Sequence, residues 1–250
     1  MMESIKNCPR GDRFRDGFVR DTVLGLLSLS VTLPTLAYGQ FVYPRPEYNH
    51  PKPGAYVEDP FIVKYRRKFF AVFRGDTVTF NQAYSEIEGL LKKDPRDARA
   101  MVWLGNGQTV RAGVLRLHGD KSGSDNLLAK SRITLDNAVA LRPTDPNIYM
   151  MRAATLYIQG QYWPAASLPR ANWEKLRDDC SHFIKTIGPK RMKDVSIHVR
   201  GEAYGELGIA YLNLGEKSMA KLAFEKILKL NPDTDYSTRA KKEIEKLGGG

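Results

Sequence analysis

The sequence predicts an all-α fold made of consecutive antiparallel helix pairs. Apolar residues recur every three or four positions through almost all of the chain after residue 61, which is the spacing of one helix face. Glycine, proline and short polar breaks divide this region into segments of helix length, and none shows the alternation of a strand. With 250 residues, of which 42% are hydrophobic, the chain can bury one sizeable core or form an elongated array.

Residues 1–39 are predicted to be a secretory signal peptide. A basic but mixed-charge start leads into a stretch without any charged residue, 22–44, and small residues flank a cleavage point before Gln40. Acidic residues in the start are unusual for such a leader. An uncleaved membrane anchor through 22–38 is therefore the alternative, because a charge-free stretch of this length just spans a bilayer. A buried helix of a soluble domain is the third interpretation.

Residues 40–60 are predicted to form an extended linker or strap. Five prolines stand among aromatic residues in this segment, and proline both fixes φ and removes a backbone donor. The segment is either a spacer between the membrane and the folded domain or a strap that lies on that domain. Its aromatic content favours a strap for at least part of its length.

The region 61–247 is predicted to be a domain of helical repeats. An apolar stripe at four-residue spacing marks its first helix, through Phe61, Tyr65, Phe69 and Phe73. The helices expected after it are 77–93, 97–117, 127–141, 147–159, a segment from 162, 201–214, 217–230 and 237–247. Residues 118–126 are expected to be a polar loop, and Gly160 is expected to end the helix 147–159.

The clearest pattern lies in residues 201–234, where two helices carry aromatic, small and aliphatic residues at fixed offsets. The residues of this pattern are Tyr204, Leu207, Gly208, Tyr211, Ala220, Phe224 and Pro232. The pattern resembles the tetratricopeptide repeat, a 34-residue helix–turn–helix unit, with Tyr204 in the place of the usual tryptophan and Ile227 where the family has a small residue. The resemblance implies an α-solenoid of stacked helix pairs, with 237–247 as its C-terminal capping helix.

The spacing of this pattern also has a physical cause that does not depend on the resemblance. Two antiparallel helices approach closely only where side chains are small, and Gly208 and Ala220 are expected to supply that contact. Larger residues fill the space around it, and Pro232 ends the second helix. One such pair cannot bury its own apolar face, so neighbouring pairs must stack against it.

Weaker copies of the pattern lie upstream. The second-helix spacing recurs at Ala83, Ile87, Leu90 and Pro95, and again at Ser131, Leu135, Ala138 and Pro143. A third unit has matching offsets at Tyr149, Gly160, Tyr162 and Ala165. Residues 100–117, with Trp103 and Gly107, are expected to be the first helix paired with 127–141. The pattern then breaks, and the resemblance is degenerate throughout 61–200.

The resemblance implies that the first helix of each repeat lines a concave face, which binds a peptide or protein segment. Its exposed positions would be Asn147, Met150, Ala154, Tyr157, Ile158, Glu202, Gly205, Ile209, Leu212 and Asn213. This lining is mostly apolar and lacks the Asn and Lys set with which some family members clamp a carboxyl terminus. We therefore expect an extended apolar or aromatic occupant, for which the protein's own residues 40–60 are one source. The alternative is that a neighbouring helix fills the inner face.

No catalytic, metal or cofactor site is predicted from the sequence. The four histidines lack metal-ligand spacing, and neither a phosphate-binding glycine loop nor a nucleophile elbow occurs. Cys180 and His182 suggest a thiol–imidazole pair, but no third group is evident to orient them, so a structural role is preferred. Asp178 and Asp179 are expected to be helix-end or surface carboxylates.

The net charge of +11 favours anionic partners in general terms. The segment KYRRKFFAVF, 64–73, interleaves basic and aromatic residues as nucleic-acid binders and membrane-surface helices do. Its aromatic spacing fits the solvated face of a repeat helix equally well. No nucleic-acid partner is expected of an exported protein, whereas anionic lipid or cell-wall polymer is a non-specific candidate.

The sequence therefore predicts an exported, non-enzymatic protein–protein interaction module, an adaptor or assembly factor in the periplasm or another extracytoplasmic space. The first alternative is a membrane-tethered envelope scaffold with a basic surface for anionic lipid or polymer. The second, less favoured alternative is a thiol protein that uses Cys180. Neither the identity of the partner nor the oligomeric state is predicted.

Overall fold

The computed structural model describes residues 58–163 and 168–248, which are helical apart from short connections. The described ranges form nine α-helices: α1 Pro60–Phe69, α2 Thr77–Lys93, α3 Ala98–Leu117, α4 Lys121–Leu141, α5 Pro146–Tyr162, α6 Arg170–Met192, α7 Ile197–Leu214, α8 Lys217–Leu230 and α9 Asp235–Gly248. A short 3₁₀ helix, Phe70–Arg74, follows α1. These two ranges contain no strand, so the predicted all-α class is confirmed.

The helices form a solenoid of antiparallel pairs. Each odd-numbered helix from α1 to α7 packs against the even-numbered helix that follows it, and each even-numbered helix also packs against the next odd-numbered one. The odd-numbered helices contact one another in order, and we call α1, α3, α5 and α7 the inner layer. Helix α9 packs against α8 and α7 as the predicted capping helix, so the α-solenoid prediction is confirmed.

The predicted leader or anchor, 1–39, and nearly all of the segment 40–60 lie outside the described residues. The end of that segment is described, and Asp59 and Pro60 begin α1 there. Among the helices of the two described ranges, none combines the length and the apolar character needed to cross a membrane.

Aspartate side chains begin most of the helices. Each accepts a hydrogen bond from a backbone N–H of the first turn, which would otherwise lack a partner, and each such cap stabilises a helix by about 1 kcal/mol. The capping aspartates are Asp59, Asp76, Asp97, Asp120 and Asp145. At the other end of a helix, Gly215 adopts a φ of 84° after α7. This left-handed conformation suits glycine and permits the short turn into α8.

Two apolar clusters form most of the core. The first joins α1 to α4 and the start of α5, and it centres on the fully buried rings of Phe69 and Trp103, whose centroids lie 4.8 Å apart. The second joins α5 to α8 around Leu176 and Phe183, which are also fully buried. A smaller cluster around Phe224 joins α8 to α9. Each helix pair thus buries its apolar surface against its neighbours, as the stacked arrangement requires.

Glycines in the odd-numbered helices receive large side chains from neighbouring helices. A Cβ atom at any of these glycines would overlap the ring that lies on it, so the ring needs glycine at that position. The pairs are Tyr84 on Gly107, Trp173 on Gly160, Phe224 on Gly208 and Tyr236 on Gly201. Leu135 lies on Gly105 in the same way. These contacts set how closely the helices of the solenoid approach one another.

The close contact in the last pair has a different partner from the predicted one. The sequence predicts Ala220 opposite Gly208, but the three atoms nearest to a Cβ at Gly208 all belong to the ring of Phe224. Ala220 is fully buried in the same cluster as Phe224. The absent side chain of Gly208 therefore leaves room for a ring rather than for a second small residue.

Several predicted helix boundaries are wrong: the helix predicted from residue 162 begins at Arg170, and the helix predicted from residue 201 begins at Ile197. Helix α5 continues through Gly160 to Tyr162, and the ring of Trp173 lies over that glycine. Helix α4 begins at Lys121, so the loop predicted at 118–126 is confined to 118–120. The polar residues of the predicted loop instead form the first turns of a helix.

The predicted apolar stripe of the first helix extends only to Phe69. Tyr65 and Phe69 are buried, and Phe61 packs partly buried against the same cluster. The chain changes from α-helix to 3₁₀ helix at Phe70, and the tighter turn moves Phe73 off the stripe and leaves it 41% exposed.

We predict that Gly208→Ala destabilises the protein by about 1–3 kcal/mol, because the added methyl group overlaps the ring of Phe224. The matched control is Gly89→Ala in α2, where a Cβ would meet no atom within 4 Å. There the substitution should stabilise the helix by about 0.5–1 kcal/mol, because alanine is the better helix former. Urea unfolding of both variants measures the difference, and a Gly208→Ala variant as stable as Gly89→Ala would contradict the ring-on-glycine contact.

Candidate functional site

Four residues predicted for the concave face line one cavity in the inner layer: Asn147, Met150, Ala154 and Glu202. Met150 is nonetheless only 6% exposed, because its side chain also belongs to the second core cluster. The structure thus brings these four residues of α5 and α7 together, although Met150 serves the core as much as the cavity.

The cavity lies where all four helices of the inner layer meet. Its volume is about 20 Å³, which is room for one group of the size of a water molecule. Ile62 and Arg66 of α1 face Asn106 of α3 and the N-terminal halves of α5 and α7 across it. Helix α1 therefore covers this end of the inner face. This is the arrangement of the alternative interpretation of the sequence, in which a neighbouring helix, and not a partner, fills the inner face.

Most of the other residues predicted for the concave face contact the protein itself. Ile209 and Leu212 pack partly buried against the cluster of α8 and α9. Gly205 faces α8, since a Cβ there would lie 3.7 Å from Ile227 Cδ1. Tyr157 packs partly buried against the second core cluster. Contacts within the solenoid thus use much of the surface that the sequence analysis assigns to a partner.

Asn213 is the exposed member of the predicted set, whereas Ile158 is half-buried like most of the others. Ile158 lies near the end of α5, and Asn213 lies near the end of α7. The side-chain amide of Asn213 donates a hydrogen bond of 2.9 Å to the carbonyl oxygen of Ile209. Both residues lie in the C-terminal halves of their helices, beyond the residues that line the cavity under α1.

His198 connects the cavity to the capping helix. Its Nε2 lies 3.1 Å from Glu202 Oε1, and its Nδ1 lies 2.7 Å from the hydroxyl oxygen of Tyr236 in α9. Burial by itself raises the pKa of Glu202, but the neighbouring His198 outweighs it and holds that pKa below its ordinary value. A carboxylate at the edge of the cavity is thereby kept charged. The sequence predicts no role for His198, because one of its partners, Glu202, lies a helical turn away and the other, Tyr236, lies on another helix.

Glu206 is a second carboxyl group near this site, one helical turn after Glu202. It is 5% exposed, and its Oε2 has no hydrogen-bond partner among the described residues. Burial, reinforced by the charge of Glu202, raises the pKa of Glu206 well above its ordinary range, which favours the neutral form. The sequence around Glu206 does not predict that this carboxyl group is buried.

An ion-pair network joins α4, α5 and α6 on the other side of α5. The guanidinium of Arg152 donates two hydrogen bonds to Asp179, at 2.8 and 2.6 Å, and a third to Asp136, at 2.8 Å. Lys175 also donates to Asp136. The expectation that Asp179 is a helix-end or surface carboxylate is therefore wrong, because it is 1% exposed and pairs with Arg152.

The geometry does not activate Cys180 for chemistry. Its side chain is fully buried in the second core cluster, and burial raises the pKa of the thiol well above its ordinary value, which disfavours the reactive thiolate. His182 does not face the thiol but stacks on the ring of Tyr149, with centroids 3.8 Å apart. Within the described ranges, no three His, Cys, Asp or Glu side chains are placed to hold a metal ion.

We predict that Asp179→Ala destabilises the protein by about 3 kcal/mol, because it leaves the buried guanidinium of Arg152 without its principal partner. Asp178→Ala is the matched control, since that side chain is 65% exposed and pairs only with Arg177 at the surface. The control should change stability by less than about 0.5 kcal/mol. Chemical denaturation measures both variants, and equal effects would show that the buried network contributes nothing specific.

Comparison with known families gives one match. Residues 201–234 match the family model for the tetratricopeptide repeat, over the helix pair α7–α8 and its following turn. No curated protein matches the chain. Tetratricopeptide repeats generally bind protein partners and are typically non-enzymatic. The matched unit and the solenoid around it thus indicate a module for protein–protein interaction.

Proposed function

We propose that this protein is an exported, non-enzymatic adaptor or assembly factor, which binds a peptide or protein segment of a partner on its inner layer. The observation that carries the proposal is the repeat at 201–234. It lies near the end of a solenoid in which the first helices of successive pairs contact one another. Such an array presents an extended surface formed by several helices at once, which suits a linear segment of another protein.

The surface we propose is formed by the C-terminal halves of α5 and α7. The residues of these helices that line the cavity under α1 lie in their N-terminal halves. Tyr157 and Ile158 of α5 and Asn213 of α7 lie beyond the residues that line the cavity. Burial raises the pKa of Tyr157 to about 12, so its hydroxyl group is protonated throughout the physiological range. An apolar or aromatic segment with a hydrogen-bond acceptor fits this surface.

The second candidate function is a membrane-tethered scaffold of the cell envelope with a basic surface for anionic lipid or polymer. The charge-free stretch 22–44 and the net charge of +11 favour it. Mass spectrometry of the native protein separates the candidates. An amino terminus at Gln40 in a soluble fraction is the expected result for the exported form, whereas a chain that retains residues 22–38 in the membrane fraction would support the tether.

We predict that Ile158→Glu weakens partner capture at least about tenfold, which corresponds to about 1.4 kcal/mol, because it places a charge on the proposed apolar surface. The matched control is Ile133→Glu on α4, at a side chain that is 62% exposed outside the inner layer. Both variants are compared with the wild-type chain in quantitative capture from an envelope extract, after their thermal unfolding has been compared. Equal capture by the two variants would contradict binding at this surface.

A further inference from the structure

The geometry points to a site for a primary ammonium group in the cavity beneath α1. The group would be the side chain of a lysine, or the amino terminus, of a segment that a partner presents to the inner layer. The identity of this donor rests on the proposed function, whereas the existence of the site rests on the cavity alone. Three features carry the inference: a buried acceptor without a partner, a carboxylate at the cavity wall, and apolar walls around a space of suitable size.

The acceptor is the side-chain oxygen of Asn106, a residue that lines the cavity and is 2% exposed. Its Nδ2 donates to Thr155 Oγ1 at 3.3 Å, and the hydroxyl of Thr155 itself donates to the carbonyl oxygen of Met151 at 2.9 Å. Since Thr155 has already used its proton, it must accept from Asn106, and this fixes the orientation of the amide. Asn106 Oδ1 then has no partner among the described residues. A buried acceptor of this kind is costly unless a donor occupies the cavity.

The charge of the cavity wall favours a cationic donor over a neutral one. Glu202 lines the cavity, and its pKa lies below its ordinary value. Glu58 and Arg66 form an ion pair with Arg66 Nη2 2.6 Å from Glu58 Oε1, so their charges largely offset one another. Of the charged groups that line the cavity, two are carboxylates, Glu58 and Glu202, and one is the guanidinium of Arg66, while His198 pairs with Glu202 from outside the lining. An ammonium group offers three donors and a positive charge to these acceptors.

The size and the walls of the cavity suit an ammonium group on an aliphatic stem. A volume of about 20 Å³ admits one group of the size of water, and an ammonium group is of that size. Ile62, Met150 and Val199 line the remaining wall, where they can contact the methylene group next to the ammonium group. Glu202 keeps 17% of its side-chain surface exposed, so this part of the wall is not fully shielded from solvent.

The test uses the full chain, labelled with ¹⁵N, and follows the side-chain amide signals of Asn106 during titration. One probe is Nα-acetyl-lysine N-methylamide, which carries only a side-chain amine, and a second is glycine N-methylamide, which carries only a terminal amine. The control probe is Nα-acetyl-norleucine N-methylamide, which has an aliphatic side chain without a charge. We expect saturable shifts with one or both amines, which also identifies the source of the group, and none with norleucine. Equal shifts with all three probes, or none with any, would overturn the site and leave water as its occupant.

A pair of variants links the binding to the cavity. Glu202→Gln should weaken binding of the amine probe about tenfold, because it removes the charge at the wall. Glu225→Gln on the exposed face of α8 is the control and should bind as the wild type does. Unchanged affinity in Glu202→Gln would contradict the inference. The comparison of lysine and norleucine probes needs no variant, so it decides the matter even if Glu202→Gln does not fold. Failure of partner capture at Ile158 with intact amine binding would refute the proposed function alone.

Discussion

The contact of aromatic rings with glycine backbones is the constraint on which the rest of the solenoid depends. In each of these contacts the missing Cβ lets a ring from one helix lie against the backbone of another, so the ring limits how closely the two helices approach. Trp173 on Gly160 joins the members of one pair, whereas Tyr84 on Gly107 joins consecutive pairs. The same device therefore fixes both the width of a pair and the step to the next, and these two distances determine where the inner layer lies.

Polar contacts inside the solenoid fix the register that the rings leave free. The amide of Gln159 donates to the hydroxyl of Thr109 at 2.9 Å, and Thr109 in turn lies 2.8 Å from the hydroxyl of Ser131, so one buried chain of hydrogen bonds crosses α3, α4 and α5. Arg152 and Asp179 tie α5 to α6 nearby. An axial slip of any of these helices would leave buried polar groups without partners, which costs more than the slip of an apolar surface. The packing of the interior is thus specified by the directions of its hydrogen bonds as well as by the volumes of its side chains.

The fold was predictable because its signals are local, whereas the site depends on contacts between distant segments. Helix spacing, breaks and the pattern at 201–234 lie within single helix pairs, and they predict the all-α solenoid. Gly105 was missed as a contact residue, because α3 and α4 are longer than the last pair and separate Gly105 from Leu135 by more residues than separate Gly208 from Phe224. The cavity was missed because α1 covers the inner face from the opposite end of the domain, and the burial of Glu206 depends on neighbours that its own helix does not reveal. Burial of a charged residue by remote helices has no local sequence signal.

The position of α1 has a consequence for how the chain folds. Most contacts in this solenoid join helices that follow one another, so pairs can form in turn as the chain is synthesised, with little entropy lost in closing loops. The wall of the cavity is different, because Ile62 and Arg66 meet Val199 and Glu202 from nearly opposite ends of the folded region. That part of the inner layer is complete only after α7 has left the ribosome. An amino-terminal fragment would therefore expose apolar and charged wall residues that the finished protein covers, which gives quality-control factors a means to recognise an interrupted chain.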